Sequence, residues 1–183
     1  MKTVQPTLST PIEIVSLAET KSHLRVTNAS EDALISSYLL AAIDWAEGFC
    51  HRSFTGDTFT LTAPSFDFDL ENPPITSIVS VEYKVYGSNS YTAITDTNYN
   101  LNTNSIKPCV EFIENYVFPR LALVNDAVRV VYVAGYDSDT LPQLVKIAIL
   151  LKCSSFYDNR MEENKRFTTS AELLLMKYKI FSI

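Results

Sequence analysis

DAVRVVYVAGYDSDTLPQLVKIAILLKCSSFYDNR, residues 126–160, contains the change of period that decides the fold. Its first part alternates as a strand does. Val128, Val130 and Tyr132 fall on one side, and Arg129, Val131 and Val133 on the other. Polar positions are so few that burial on both faces is expected. Asp137 to Asp139 read as a loop, and Pro142 stands where a first helical turn tolerates proline. A helix is predicted from about Pro142 to Arg160. Its Leu144, Val145, Ile147, Ala148, Ile149, Leu150 and Leu151 run most of the way round, interrupted by Gln143, Lys146 and Lys152. A helix apolar on nearly every side belongs at the centre of its protein, or has one side covered by a neighbouring subunit.

Upstream, two more helices are legible. In SLAETKSHLRV, Ser16 and Glu19 form a capping box, with Leu17, Thr20 and Leu24 on one face. In NASEDALISSYLLAAIDWAEGFCHRSF, Asn28 or Ser30 is the expected cap, and Glu31 and Asp32 suit the positive end of the helix dipole. Leu34, Ile35, Tyr38, Ala42, Trp45, Ala46 and Phe49 recur at helical spacing, and the helix should stop near His51. From Thr58 to Tyr136 the chain is β-like. TFTLT and FDFDL alternate, and ITSIVSVEYKVY starts as a strand after Pro73-Pro74. GSNS turns back into YTAI, and NYNLN and SIKPCVEFI are weaker strands. TTSAELLLMKYKIFSI closes the chain as a short helix capped by Thr169 with Glu172, or by Ser170.

The expected fold class is therefore α+β. An antiparallel helical core of three main helices and a short C-terminal helix carries an inserted β-rich region. All of it forms one domain, 1–183: helices about 16–52, a β-rich insertion about 57–136, a helix about 142–160 and a helical tail about 168–183.

Composition limits the function. With 46% hydrophobic and 20% charged residues the chain can build a core, so global disorder is excluded. A net charge of −6 opposes phosphate binding over the whole surface. Cys50, Cys109 and Cys153 form no CxxC pair, so a zinc ribbon is not indicated and small buried thiols of an intracellular protein are expected. The N-terminus shows no signal-peptide pattern. The longest apolar run, Leu141 to Leu151, is too short for a bilayer, and a soluble protein with no membrane partner is expected.

No pattern in the sequence points to a catalytic residue, cofactor or metal. His23 and His51 lie at helix ends, where the dipole favours a cation. Cys50 and His51 are adjacent and point apart on a helix. Asp67, Asp69 and Glu71 share one side of the FDFDLE stretch, which suits either a hard cation or the wet face of a sheet. Gly48, Gly56, Gly87 and Gly135 are too far apart to cradle a phosphate. Asp137 and Asp139 lack the spacing of a calcium loop. Basic residues are scattered, with Lys165, Arg166, Lys177 and Lys179 the densest group.

Assembly therefore gains ground, and the C-terminus points the same way. Leu173, Leu174, Leu175, Met176, Tyr178, Ile180, Phe181 and Ile183 crowd the last residues, so this end needs a partner surface within the subunit or on another protein. Just before it, Phe156 and Tyr157 should anchor the end of the central helix against the first two. Arg160 suits the negative helix terminus and can pair with an acid such as Glu47. Together they would set the angle at which ENKRF launches the tail.

The order of four stretches resembles the head–tail connector (adaptor, head-completion) proteins of long-tailed bacteriophages and prophages. VSLAETKSHLRV with SEDALISSYLLAAIDWAEGFCHRSF looks like the opening helix pair, and PPITSIVSVEY like the Pro-led strand. VRVVYVAGYDSDTLPQLVKIAILLKCSSFYDNR looks like the strand, Gly-Tyr turn, Pro-started helix and aromatic-acid-Arg ending. AELLLMKYK resembles the C-terminal apolar segment. Cys153-Ser154-Ser155-Phe156 departs from the family's aromatic or His pattern there, and Tyr91 to Asp126 matches least.

The resemblance implies a non-enzymatic ring of about a dozen copies, with heterologous interfaces closed by rotation. The ring sits between the portal and a tail-completion or stopper protein at the virion head–tail junction, and it assembles in the bacterial host cytoplasm. The free protein can be monomeric, with the portal as template. DNA is passing cargo only, and a lumen poor in Lys and Arg would let it slide. The implied portal or subunit interface is Phe156, Tyr157, Arg160, Leu173, Leu174 and Tyr178. Two other readings compete. One is a metal- or ligand-binding α+β domain with hydrolase-like activity, using Asp67, Asp69, Glu71 and His51. The other is a DNA-packaging accessory with salt-dependent DNA binding.

Overall fold

Two bodies of secondary structure, each with its own apolar core, make up the chain in the computed structural model, which describes residues 2–7, 14–104, 107–159 and 169–181. Residues 1–11 and 56–135 form a β-rich unit, and residues 12–55 and 136–183 form a helical unit. The mixture is α+β, as expected.

The β-rich unit contains β1 (Thr3–Thr7), β2 (Asp57–Ala63), β3 (Ile75–Lys84), β4 (Tyr91–Ala93), β5 (Tyr99–Asn102), β6 (Cys109–Phe112) and β7 (Val128–Ala134). Five of them make an antiparallel sheet in the order β1-β2-β7-β3-β4, and β5 pairs with β6. β7 lies at the centre. Val128, Val130, Tyr132 and Ala134 are fully buried, while Arg129, Val131 and Val133 stay half-exposed. Burial on both faces was expected, but β7 has one dry face. The other side carries a cross-strand ion pair, Arg129 Nε to Glu82 Oε2 at 2.7 Å, which needs access to water. On the dry face the Tyr132 ring stacks on Phe59 at 5.8 Å and its hydroxyl donates to the Glu71 carbonyl at 3.1 Å. Burial pushes this phenol well above its usual range.

The alternation of FDFDL does not produce a strand. Between Ala63 and Ile75 the chain makes bends and a single bridge, Asp69 to Cys109. Phe66 and Phe68 pack against the sheet core and Leu70 is buried, so side-chain packing holds the segment instead of a hydrogen-bonded ladder. Conversely, β1 is a strand in a region where none was predicted. It is short and contains Pro6, which only an edge strand tolerates, and its pairing with β2 is what orders it.

The helical unit contains α1 (Leu17–Leu24), α2 (Asp32–Cys50), α3 (Gln143–Asp158) and α4 (Ser170–Leu175), the last followed by one 3-10 turn. Both expected capping boxes form, Ser16 with Glu19 and Thr169 with Glu172. The α2 cap differs from expectation. Glu31 holds the N-cap position without a side-chain bond, while Asn28 Oδ1 accepts from the Ser30 amide and hydroxyl at 3.2 and 2.7 Å. Asn28 thus spends its acceptor on a local turn ahead of the helix. At the other end His51 closes α2 in the left-handed conformation, φ 54°.

α2 and α3 run antiparallel, as three contacts along them show. Lys152 covers Trp45 at 4.6 Å, Phe156 meets Tyr38 at 6.5 Å, and the Tyr157 hydroxyl donates to Glu31 Oε2 at 2.6 Å. By length and composition α2 is apolar enough to cross a membrane, but its Ile35, Leu39, Ala42, Ile43, Ala46 and Cys50 are buried within the protein. α3 reads as apolar all round yet buries only Val145, Ala148, Ile149 and Cys153. Leu144 and Ile147 remain more than a third exposed. Lys146 Nζ reaches Glu19 Oε1 at 2.6 Å and, with the cap bonds from Ser16, holds that carboxyl down at about 2.

The three thiols are free, and burial pushes Cys50 and Cys153 up to about 11 each. Both should therefore resist a disulfide reagent such as Ellman's at pH 8 in the native protein. Half-buried Cys109 should react slowly, and all three should react at once in denaturant. Rapid native labelling of Cys50 or Cys153 would show that the helical core opens readily.

Candidate functional site

The candidate functional residues are those that terminate the central helix and anchor the apolar C-terminus. Both lie in the helical unit. Phe156 and Tyr157 stand in the last turn of α3, because the helical period returns this pair to the α2 side. Phe156 is half-buried, touching Tyr38, and Lys152 Nζ stands 4.7 Å from its ring centre. Tyr157 ties the end of α3 to the start of α2 through Glu31. Arg160 lies outside the described residues. Glu47, its suggested partner, has Oε1 engaged by the turn after α2. That oxygen accepts from the amides of Phe54 (2.6 Å) and Thr55 (2.9 Å) and from the Thr55 hydroxyl (3.0 Å).

The C-terminal segment finds its partner surface within the subunit on one side only. Leu175 is completely buried and Ala171 nearly so, and Leu174 and Tyr178 pack against the same core. One backbone bond and one side-chain bond fasten the segment to the end of α2. The Ile180 amide donates to the Cys50 carbonyl at 2.9 Å, and Arg52 Nε donates to the Tyr178 carbonyl at 2.5 Å. Lys179 Nζ sits 4.3 Å from the Phe49 ring centre. The opposite side is open: Leu173 is 61% exposed, Met176 47% and Phe181 66%. Of the sequence-predicted residues, Phe156 and Tyr157 meet α2 near its start and Leu174 and Tyr178 join the core near its end. Leu173 faces solvent. Met176 and Phe181, also open, were named among the apolar residues of the chain end but not in the interface set, since run-together apolar letters do not reveal the helical phase of so short a segment.

The residues of the metal-dependent reading are divided between the two units. Asp67, Asp69 and Glu71 belong to the β-rich unit, where Lys2 pairs with Glu71 at 3.1 Å and Lys107 lies 3.9 Å from Asp69. His51 belongs to the helical unit, as its helix terminator. Among the described residues no group of three or more His, Cys, Asp or Glu side chains is placed to hold a metal ion. Asp137 accepts from the Thr140 amide (2.7 Å), the Thr140 hydroxyl (2.6 Å) and the Asp139 amide (3.1 Å), which lowers its carboxyl pKa and makes it a loop clasp.

The family profile described as phage gp6-like head-tail connector protein matches residues 14–108. No curated protein matches the chain. Solved structures match it along its whole length. A chain from the neck of an empty gene transfer agent (GTA) particle, computed with C6 symmetry, is 19% identical with a TM-score of 0.82, covering 99% of this chain and 97% of that one. A chain from the native particle's neck, computed with C12 symmetry, gives 18% and 0.79 over 99% and 97%. A third, from the virion of the native particle, gives 19% and 0.80 over 98% and 96%. At such identities these likenesses establish the fold, and the profile match, which spans more than half of the chain, establishes the family. This chain belongs to the phage gp6-like head-tail connector family and is a structural connector of the head–tail junction.

Proposed function

We propose that the protein works as a closed ring seated between the portal at the capsid vertex and the tail, without catalytic activity. The observation that carries this reading is the family match over residues 14–108. The C6 and C12 symmetries of the necks that share its fold favour a ring, of about a dozen copies in the C12 case. In this reading the free protein is a monomer in the host cytoplasm, and the portal templates the ring. A tail-completion or stopper protein then docks beneath it, and DNA passes through a lumen poor in Lys and Arg. The exposed side of the C-terminal segment, Leu173 with Met176 and Phe181, is the portal-facing surface. Leu174 and Tyr178 hold that segment against the helical core, while Phe156 and Tyr157 fix the end of α3 against the start of α2. Arg160 follows α3 directly in sequence and is assigned to the same support.

Native mass spectrometry of the protein mixed with purified portal tests this. Addition of one ring's worth of copies to the portal is expected, with the free protein monomeric. Leu173→Asp should weaken the complex at least ten-fold while leaving thermal stability intact. A portal that gains no copies at saturating protein would overturn the ring. Undiminished binding of Leu173→Asp would remove the C-terminal segment from the contact.

A further inference from the structure

The β-rich unit carries a second exposed apolar surface, far from the C-terminal segment in sequence. Between β6 and β7 the chain reads IENYVFPRLALVND, residues 113–126. Val117 is 86% exposed, Leu123 89% and Phe118 52%, and Val124 is also exposed. Yet the segment is firmly held. The Phe118 ring packs 5.1 Å from Phe66 and 5.0 Å from both Phe112 and Tyr116. Farther along, the Tyr86 amide donates to the Arg120 carbonyl and the Ala122 amide to the Lys84 carbonyl, both at 2.9 Å, with Val85 bridged to Leu121. Apolar tips on a pinned base have already paid their ordering entropy, which is the condition of a docking surface.

We propose that this segment is a subunit–subunit contact, with Val117, Phe118 and Leu123 seated against the next copy of this chain. The inference rests on the ring reading above and names the surface that closes it. Charge selects the occupant. The β-rich unit carries nine Asp and Glu against five Lys and Arg, so two copies repel wherever their acidic surfaces meet. From Tyr116 to Asn125 the only charge is Arg120, and its guanidinium lies 3.9 Å from the Tyr86 ring centre. A basic partner would gain most from the acidic faces. A second acidic copy gains most from a stretch that is apolar and nearly uncharged. A cyclic ring also needs two different patches on each copy, so an apolar knob recurring on every subunit is buried at every contact.

The test places a photo-crosslinking benzoylphenylalanine at Val117 in the otherwise unchanged chain, irradiated with and without portal. A parallel Val117→Asp/Leu123→Asp variant is assayed for the same ring. Crosslinks between copies in the portal complex are expected, with at least ten-fold less ring from the double variant at unchanged thermal stability. Crosslinks from Val117 to portal or to a tail-completion protein, or none within a fully formed ring, would overturn the assignment even if the ring stands. Normal ring formation by a folded double variant would do the same. Absence of any ring from the unmodified protein would overturn the ring reading and this surface with it.

Discussion

Leu175→Ala is expected to destabilise the protein by about 3–4 kcal/mol, near the middle of the range for a large core side chain cut to alanine. Leu175 is wholly buried, and its cluster includes Cys50, Ile149, Cys153 and Ala171. Truncation leaves a cavity that a short helix, tied to the end of α2 through the Ile180 amide, cannot collapse to fill. In a chain of this size that is a fall in melting temperature of about 6–16 °C by circular dichroism. Leu173→Ala, two residues earlier and 61% exposed, should change stability by less than about 0.5 kcal/mol. Equal losses from the two variants would mean the segment is not held as described. The contrast governs how portal binding is tested. Truncation before Leu173 also removes Leu175, so lost binding could reflect a damaged core. A substitution at Leu173 itself leaves that core untouched.

Glu47→Ala should lose about 3 kcal/mol in urea unfolding, from removal of a carboxylate that accepts short, charge-assisted bonds. Glu47 Oε1 receives the Phe54 and Thr55 amides and the Thr55 hydroxyl, and holds the turn by which the chain leaves the helical unit. Without it, amides next to the fully buried Phe54 lose their partner. Glu47→Gln keeps an acceptor oxygen and loses the charge, so it should cost about half as much. A cost below about 0.5 kcal/mol for the alanine variant would show that water replaces the carboxylate without strain. Because its amides belong to a turn, the effect should appear as destabilisation with unaltered helix content.

Local chemistry was the legible part of this chain. The boxes at Ser16–Glu19 and Thr169–Glu172 are complete within four residues, so they form without a distant partner. β7 was legible because alternation over seven residues leaves one face no other place. What failed depended on partners far along the chain. β1 exists because β2, some fifty residues later, offers it an edge. FDFDL has the period of a strand but gains more by burying Leu70 and packing its phenylalanines on the sheet core. α3 could not reveal which of its apolar sides is covered, because Leu144 and Val145 are equally greasy and only packing tells them apart.

The candidate site divides in the same way. Phe156 and Tyr157 were recognisable as anchors, because two aromatics closing an apolar helix must face its neighbours. Their partners, Tyr38 and Glu31, are more than a hundred residues away and were not named. Leu173 and Leu175 carry the same side chain and opposite exposures, a difference set by the phase of α4. The knob at Val117–Leu123 has a strand-like composition with no ladder beside its tips. Its exposure becomes visible only once the Phe66–Phe112–Tyr116 cluster fixes its base.

Electron cryo-microscopy of purified portal incubated with excess protein decides between a ring and loose attachment. A closed ring on the portal is expected, with cyclic symmetry and an open channel on its axis. The helical unit's C-terminal segment should lie against the portal and the Val117–Leu123 knob against the next copy. A portal left bare, or one carrying isolated copies at irregular positions, would contradict the ring.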